Sequence, residues 1–293
     1  MTLEQLSIFI AVAEREHLTN GAAAVGLTPS AASAAIKALE GYYRVRLFDR
    51  VGRHIELTRA GRLFLVEARR TLATVKEAEG LLSDLGGLRR GHLDIEASQT
   101  IANYWLPTRL LRFAERHPGI SLGFRDGNTA SVVQAVISGR AEIGFVEGAV
   151  DQPLLASLPI HRDELAIVVS TRSGLAAPDI APSRLHELRW VMRESGSGTR
   201  AEFEAALAAI GVDCTTLPLA MTLPTNEAVL SAVRGSSCAA ALSRLVTSPF
   251  VESGELVMLD IALPPRHFTI LHHKERRLSA AALEFERLCM EPD

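Results

Sequence analysis

Apolar residues over the first sixty positions recur with the spacing of three short helices followed by a hairpin. A second, alanine-rich helix is predicted over residues 20–25. A third begins after Thr28, a residue that caps helices well, with Pro29 at the first helical position, where a missing N–H costs nothing. Alternation over residues 44–48 and 54–57 then predicts two antiparallel strands. The apolar side of the first helix is formed by Leu6, Phe9, Ile10, Val12 and Ala13.

A much longer helix is predicted over residues 59–86, where apolar residues recur every three or four positions without a proline. A helix of about 28 residues is about 42 Å long, which is too long for one small domain to cover the stripe of apolar residues along its side. The stripe therefore predicts a partner helix, although an ordinary surface helix would show a similar pattern. Its apolar residues are Leu63, Val66, Leu72, Val75, Ala78, Leu81, Leu82 and Leu85.

From residue 92 onward, predicted strands and helices alternate, as is typical of parallel βαβ units and an α/β fold. One series starts at residue 92 and a second near Glu164, so we expect two subdomains with a cleft between them. The chain is expected to cross between them near residues 161–162 and 264–266. Strands are predicted over 92–97, 120–125, 141–146, 165–170, 190–192, 217–222, 239–242 and 266–273. Helices are predicted over 104–117, 130–138, 199–210, 226–233 and 280–290.

Length and composition narrow the class of protein further. A chain of 293 residues suggests two or more domains. It contains no run of about 20 apolar residues and no basic-then-apolar leader, so neither a membrane span nor secretion is expected. Cys214, Cys238 and Cys289 lack paired or metal-like spacing and fit a reducing cytoplasm. Residues 1–90 carry 13 Lys and Arg against 10 Asp and Glu, whereas the remainder carries 18 against 24, which suits DNA binding by the first part.

The first sixty residues contain the ordered motif FxAVAE…LTxxAAAxxLTPSAxSxxIxxLE…VxLFxRxGRxxxLTxAG. This order, which covers residues 3–61, resembles the DNA-binding domain of LysR-type transcriptional regulators. The resemblance implies a winged helix-turn-helix at 1–58 and, at 59–88, a linker helix that pairs two subunits. It also implies an α/β effector-binding domain at 89–293 that resembles periplasmic binding proteins. In that domain, subdomain one would comprise 89–161 with 265–293, and subdomain two would comprise 162–264.

The third helix and the hairpin supply the residues expected to contact DNA. Small side chains at Ala31, Ala32 and Ala35 leave a face slim enough to enter a major groove. The family more often has glutamine where this chain has Pro29, so no base contact is transferred to that position. Taken singly, an alanine-rich helix is more often an ordinary core helix. Arginines near a turn, taken singly, more often lie on a solvent-exposed face. The expected DNA-binding residues are Thr28, Ser30, Ser33, Lys37, Arg50 and Arg53.

Three loops qualify as an effector site, because ligands of open α/β sheets lie beyond the carboxyl ends of strands. Residues 98–100 follow one strand, residues 194–200 follow another, and Thr225 caps a helix. Hydroxyls and free N–H groups at helix N-termini favour an anion, and Arg200 offers a bidentate fork. The alternatives are simple helix capping in the first loop, a flexible cap in the second, and a structural clamp by Arg200 on Glu194 or another carboxylate.

The stretches SQTIANYWLP, GFVEG and ESGSGTR resemble the effector domains of the CysL-like and CbbR-like branch of the LysR family, whose regulators respond to small anionic metabolites. The resemblance places Glu147 near the cleft. A carboxylate there disfavours a multiply charged ligand unless a cation or a proton offsets it. The expected effector-binding residues are Ser98, Gln99, Thr100, Glu147, Ser197, Gly198, Thr199, Arg200 and Thr225.

Other chemistries find little support in the sequence. The nine histidines show no metal-ligand spacing, and a Walker lysine and a nucleophile elbow are both missing, so we expect no metal, cofactor or catalytic residues. We therefore predict a cytoplasmic transcriptional regulator that binds double-stranded DNA as a homodimer or homotetramer, acts with RNA polymerase and responds to a small anion. The alternatives are a solute-binding protein, which the first sixty residues disfavour, and an α/β enzyme.

Overall fold

The computed structural model describes residues 1–51, 54–85, 91–173 and 180–291. They form two compact units, an N-terminal unit that ends near Leu82 and a C-terminal unit. Within the described ranges, no single helix is long and apolar enough to cross a bilayer. One pair of N-terminal helices, bent by 99°, meets the same criterion of length and composition when taken together.

The N-terminal unit begins with three helices and a two-stranded antiparallel hairpin. Their bounds are α1 (Leu3–Ala13), α2 (Leu18–Ala24), α3 (Pro29–Tyr43), β1 (Phe48–Val51) and β2 (His54–Leu57). The Thr28 hydroxyl accepts a hydrogen bond from the N–H of Ala31 at 3.3 Å, and Pro29 opens the helix, which confirms the predicted start of α3. α3 ends at Arg44, whose left-handed φ of 55° breaks the helix. The first strand therefore starts at Phe48, and the strand predicted over residues 44–47 is wrong.

The core of the N-terminal unit lies between the helices, and it fixes which side of α3 is exposed. Ile36 and Leu39 are buried in this core. Ala32 is also fully buried, and Ala35 packs against the same core, so these two alanines do not belong to the exposed face that we expected. Their small size lets the helices approach closely.

The long helix α4 (Arg59–Leu85) presents apolar residues on two different sides. One side packs on the core of the N-terminal unit, where the rings of Phe64 and Phe9 lie 4.8 Å apart and Leu72 is half-buried. The other side leaves Leu63 and Val66 exposed by 65% and 62%. The apolar residues of α4, which the sequence predicted to form one continuous surface, therefore lie on two sides of the helix. Leu72 lies on the side that packs against the core of the N-terminal unit.

Within the part of the chain that the structure describes, the C-terminal unit contains two five-stranded sheets. The strands of sheet I, in spatial order, are β4 (Ile120–Gly127), β3 (Gly91–Ser98), β5 (Ile143–Glu147), β12 (Arg266–His273) and β6 (Leu155–Asp163). Those of sheet II are β11 (Leu256–Met258), β7 (Leu165–Ser170), β10 (Ala239–Ser243), β8 (Trp190–Arg193) and β9 (Leu219–Leu223). The helices are α5 (Leu106–Arg116), α6 (Thr129–Ser138), α7 (Gly198–Ala209), α8 (Asn226–Arg234), α9 (Arg244–Glu252) and α10 (Ala280–Met290).

Both sheets are mixed, whereas the sequence predicted parallel units. In sheet I, β12 runs antiparallel to β5 and β6, and in sheet II, β7 runs antiparallel to β10 and β11. The strands β6 and β11 and the helix α9 were not predicted. The sequence of β6 contains Pro159, and burial alternates over the first part of the strand, as in a half-exposed edge strand. The chain passes from sheet I to sheet II between Asp163 and Leu165, and it returns between Met258 and Arg266.

Sheet I is covered by an aromatic cluster that also positions the loop after β3. Trp105 packs against Phe145 and Phe268, with ring centroids about 6 Å apart. Trp105 ends a π-helical turn, Ile101–Trp105, that leads directly into α5. The helix predicted from residue 104 therefore starts earlier, as this widened turn. Such turns occur often at functional sites.

Candidate functional site

The structure brings three of the predicted DNA-binding residues together on α3. Ser30, Ser33 and Lys37 follow one another at helical spacing, with Ser30 and Lys37 exposed and Ser33 half-exposed. The Thr28 hydroxyl lies 3.0 Å from that of Ser30 while it caps the helix. The side chain of Arg50 and the whole of Arg53 lie outside the described part of the chain.

The predicted effector loops converge at one place between sheets I and II, which we call the cleft. Thr100, after β3, is fully buried, and its hydroxyl accepts a hydrogen bond from Asn226 Nδ2 at 3.0 Å. The same hydroxyl lies 3.4 Å from that of Thr199. Gln99 Oε1 accepts from the backbone N–H of Asn226 at 3.1 Å. Loops 98–100, 197–199 and 225–226 therefore meet.

Arg266 contributes a buried guanidinium to the cleft, and it is not among the residues predicted from the sequence. Its Nε donates to Asp163 Oδ2 at 2.7 Å, and its Nη1 donates to the Thr199 hydroxyl at 3.2 Å. Its Nη2 is buried and has no hydrogen-bond partner within the described ranges, and the same is true of the Ser98 hydroxyl. Buried polar groups are nearly always paired, so these two donors are available to a group bound in the cleft.

Asp163 and Arg266 form a buried ion pair at the point where the chain crosses between the sheets. They are register partners in the adjacent strands β6 and β12, and their side chains are 2% and 1% exposed. Asp163 Oδ1 also accepts from the Ser243 hydroxyl of sheet II at 2.7 Å. The ion pair therefore links the two sheets beside both crossings, where a hinge between them would lie.

Gly198 and Glu147 pack closely at the start of α7. A Cβ at Gly198 would overlap the Thr129 hydroxyl and lie 2.8 Å from Glu147 Oε2, so a larger residue here would have to displace these two side chains. Glu147 is buried and accepts a long hydrogen bond of 3.4 Å from the Thr129 hydroxyl. Ser197, the N-cap of α7, is buried without making a side-chain capping bond.

The structure does not support the expected role of Arg200. Its Nε donates to Glu204 Oε1 at 2.8 Å, and its Nη1 donates to the carbonyl oxygen of Arg193 at 3.2 Å. The fork expected to hold an anion is therefore engaged as a clamp, on Glu204 rather than on Glu194. Glu194 pairs instead with Arg193; burial opposes ionisation, but the hydrogen bonds and charge of Arg193 hold the pKa of Glu194 below its usual value.

Thr225 is a helix cap in this structure, because its hydroxyl accepts from the N–H of Ala228 at 3.0 Å. The side chain of the neighbouring Asn226 instead connects two other residues, because it donates to the Thr100 hydroxyl and accepts from Arg193. Sequence reasoning missed Asn226, Arg266 and Asp163. Asp163 and Arg266 lie beside the two predicted chain crossings, and that position is the signal that could have identified them.

Further polar contacts join the two sides of the cleft. The Tyr104 hydroxyl donates to Glu227 Oε1 at 3.2 Å, and Asn128 Nδ2 donates to Glu194 Oε1 at 3.2 Å. Burial, followed by the charge and the hydrogen bond of Glu227, raises the pKa of Tyr104 to about 12. Each contact joins a residue of the sheet I side to one of the sheet II side, so together they stabilise the arrangement of the two sheets seen here.

Comparison with known proteins identifies the family. Residues 3–62 match the bacterial regulatory helix-turn-helix protein family of LysR type, and residues 86–291 match the LysR substrate binding domain. The chain therefore belongs to the LysR family of transcriptional regulators, with an N-terminal DNA-binding domain and an effector-binding domain. This confirms the predicted fold class and the prediction of a regulator rather than an enzyme.

Individual relatives agree with this family. The uncharacterized HTH-type transcriptional regulator YeiE of Escherichia coli K12 is 34% identical over 99% of this chain and 97% of its own. The RuBisCO operon transcriptional regulator of Allochromatium vinosum is 31% identical over 99% and 96%. The crystal structure of full-length CbnR complexed with its target DNA has a TM-score of 0.70 at 20% identity, covering 99% of both chains. That structural likeness supports the fold.

Proposed function

We propose that this regulator is controlled by a small oxyanion that binds in the cleft beside Arg266. The observation that carries the proposal is that two buried polar groups, Arg266 Nη2 and the Ser98 hydroxyl of loop 98–100, have no hydrogen-bond partner among the described residues. A guanidinium N–H and a hydroxyl are donors suited to an oxygen atom that carries negative charge. Each hydrogen bond to a charged group contributes about 1.5–3 kcal/mol.

Thr100 and Thr199 complete the proposed anion site from two sides. The two hydroxyls lie 3.4 Å apart, with Thr100 before the π-helical turn and Thr199 in the first turn of α7. Both helix starts bring N–H groups with partial positive charge toward the cleft, which favours an anion. Arg266 supplies the charge that the sequence analysis assigned to Arg200.

We propose that the anion acts on the regulator by changing the arrangement of sheets I and II, because the site lies beside both chain crossings. An anion that contacts Arg266 and Ser98 touches sheet I, and one that contacts Thr199 touches sheet II. A ligand shifts a conformational equilibrium only by its difference in affinity for the two states. An anion held by both sides favours the arrangement of the two sheets seen here. When the anion dissociates, one of the interactions that hold the sheets together is lost.

We further propose that the exposed face of α3, formed by Ser30, Ser33 and Lys37, enters the major groove of the operator, with Arg50 and Arg53 contacting the flanking backbone. The exposed side of α4 at Leu63 and Val66 suits a second copy of this chain, because a monomer would leave these side chains in water. Two linked copies read half-sites separated by whole helical turns. A cytoplasmic homodimer or homotetramer that acts with RNA polymerase is the assembly that we propose.

Calorimetry with sulfate, phosphate, nitrate and acetate tests the anion site. At least one anion should bind the wild-type chain, and Ser98→Ala should weaken its binding about tenfold, the equivalent of about 1.4 kcal/mol. Arg200→Ala is the matched control and should keep the wild-type affinity. Equal losses in both variants, or no binding of any of the four anions, would refute the proposed site.

The DNA-binding face is tested by titrating operator DNA at several salt concentrations. Lys37→Ala should weaken binding to all sequences and lower the slope of log K against log salt by about one unit. Lys274→Ala, which removes a lysine from the C-terminal unit, is the control and should leave the slope unchanged. An unchanged slope for Lys37→Ala would place the phosphate contacts elsewhere.

A further inference from the structure

Glu202 lies beside the proposed anion site without taking part in the contacts described above. It stands three residues after Thr199 on α7, and residues three apart share one side of a helix. Thr199 is the residue that accepts the hydrogen bond from Arg266. The Glu202 carboxylate also lies directly against Gly148, because a Cβ at that glycine would overlap its Oε1 and Cδ atoms. Glu202 therefore reaches the end of β5, next to Glu147.

The charges around this point do not balance once an anion is added. Asp163 already neutralises Arg266, at 2.7 Å. Within the described ranges, neither Glu147 nor Glu202 forms an ion pair, and Glu147 is buried. An oxyanion bound at Arg266 would add a further negative charge beside two carboxylates. Like charges in a partly buried site disfavour ionisation of one another, and the group that is easiest to neutralise takes up a proton.

Glu202 is the group in this cluster that is set to accept the proton. Burial raises its pKa, Arg266 lowers it, Glu147 raises it again and His267 lowers it, with a net rise above the ordinary value. The groups that act on it come from β5, through Glu147, and from β12, through Arg266 and His267. An additional anion acts in the same direction as Glu147.

We infer that Glu202 takes up a proton when the anion binds, so that the cleft binds a small oxyanion and a proton together. The inference rests on the proposed function, because it concerns the same site. It makes Glu202 a residue that determines charge specificity. With Glu202 ionised, the cleft repels an oxyanion, and with Glu202 neutral, it accepts one.

The experiment measures sulfate and nitrate binding to the full chain by calorimetry between pH 6 and 8 at constant ionic strength, in buffers of different ionisation enthalpy. Both anions stay fully ionised in this range, so any proton taken up belongs to the protein. Affinity should fall by up to tenfold for each pH unit above the pKa of Glu202 in the free protein, with uptake approaching one proton for each anion. Glu202→Gln should bind independently of pH and more tightly than wild type at pH 8.

Two control variants identify the group responsible. Glu204→Gln changes a carboxylate two positions along α7 and should keep the pH dependence of the wild type. His267→Gln should also keep it, and loss of the dependence in this variant would assign the proton to the imidazole and overturn the inference. Wild-type binding without pH dependence would overturn the inference and leave the proposed function standing. No binding of either anion at any pH would overturn the inference, and it would overturn the proposed function as well if phosphate and acetate also failed to bind.

Discussion

Breaking the buried ion pair between Asp163 and Arg266 should lower the stability of the effector-binding domain by an amount that thermal unfolding can measure. Arg266→Met removes the guanidinium and leaves the Asp163 carboxylate buried, and among the described residues the Ser243 hydroxyl is then its remaining side-chain donor. Breaking one partner of a buried pair costs about 3–5 kcal/mol, because the remaining charge stays uncompensated. For a domain of about 200 residues, each kcal/mol lowers the Tm by about 2–4 °C. We therefore expect the Tm of the effector-binding domain to fall by about 6–20 °C.

The double variant Asp163→Asn with Arg266→Met separates the missing interaction from the charge left behind. Asparagine still accepts from Ser243 and carries no charge, so the double variant should recover most of the Tm lost by Arg266→Met. Thermal unfolding followed by circular dichroism, with the ligand-free chain at one pH and salt concentration, measures both. Two results would refute the reasoning: a Tm for Arg266→Met within about 2 °C of wild type, or a double variant that melts below the single one.

Three more predictions concern single positions. The raised pKa of Tyr104 means that its contribution to the stability of the fold is present below about pH 10 and is lost as the pH rises through about 12. Tyr104→Phe should therefore remove the step in phenolate absorbance near pH 12. An absorbance titration that is the same in wild type and variant would contradict the contact with Glu227. Gly198→Ala should destabilise the chain by about 1–3 kcal/mol in urea unfolding, because its Cβ meets Thr129 and Glu147, and wild-type stability would contradict this packing. Val66→Asp should shift the molecular mass in light scattering from oligomer toward monomer, whereas an unaltered mass would exclude this side of α4 from the interface.

The periodicity of apolar residues along the chain predicted where most helices and strands lie. It did not predict which surface each apolar side of a helix contacts. Thr28 and Pro29 mark the start of α3 by local chemistry, which the surrounding fold leaves unchanged. On α4, in contrast, Leu63 and Leu72 are equally apolar, yet one is exposed and the other packs on its own core. A helical period records that a side is apolar, and it does not record which surface covers it.

The sequence anticipated which loops converge at the candidate site, but it did not indicate that Arg266 would lie there. Loops at strand ends meet in α/β folds whatever their sequence, so the convergence of residues 98–100 with residues 197–199 could be anticipated. Arg200 has a carboxylate four residues further along its own helix, and this local partner occupies its guanidinium. Arg266 reaches the cleft through the pairing of β12 with β6, a strand that the sequence did not reveal. Such long-range pairing has no local signal.

The adjacent chain crossings make sheet II an insertion within the rest of the C-terminal unit. β11 runs antiparallel beside β7, and the N–H of Leu259 donates to the carbonyl oxygen of Ile167 at 2.9 Å, so the segment ends close to where it starts. A domain whose two ends are neighbours can be excised and its host rejoined by a short linker. The segment between Asp163 and Arg266 is thus an exchangeable module: a graft of the equivalent segment from a relative would replace half of the cleft while sheet I and the DNA-binding domain stay as they are.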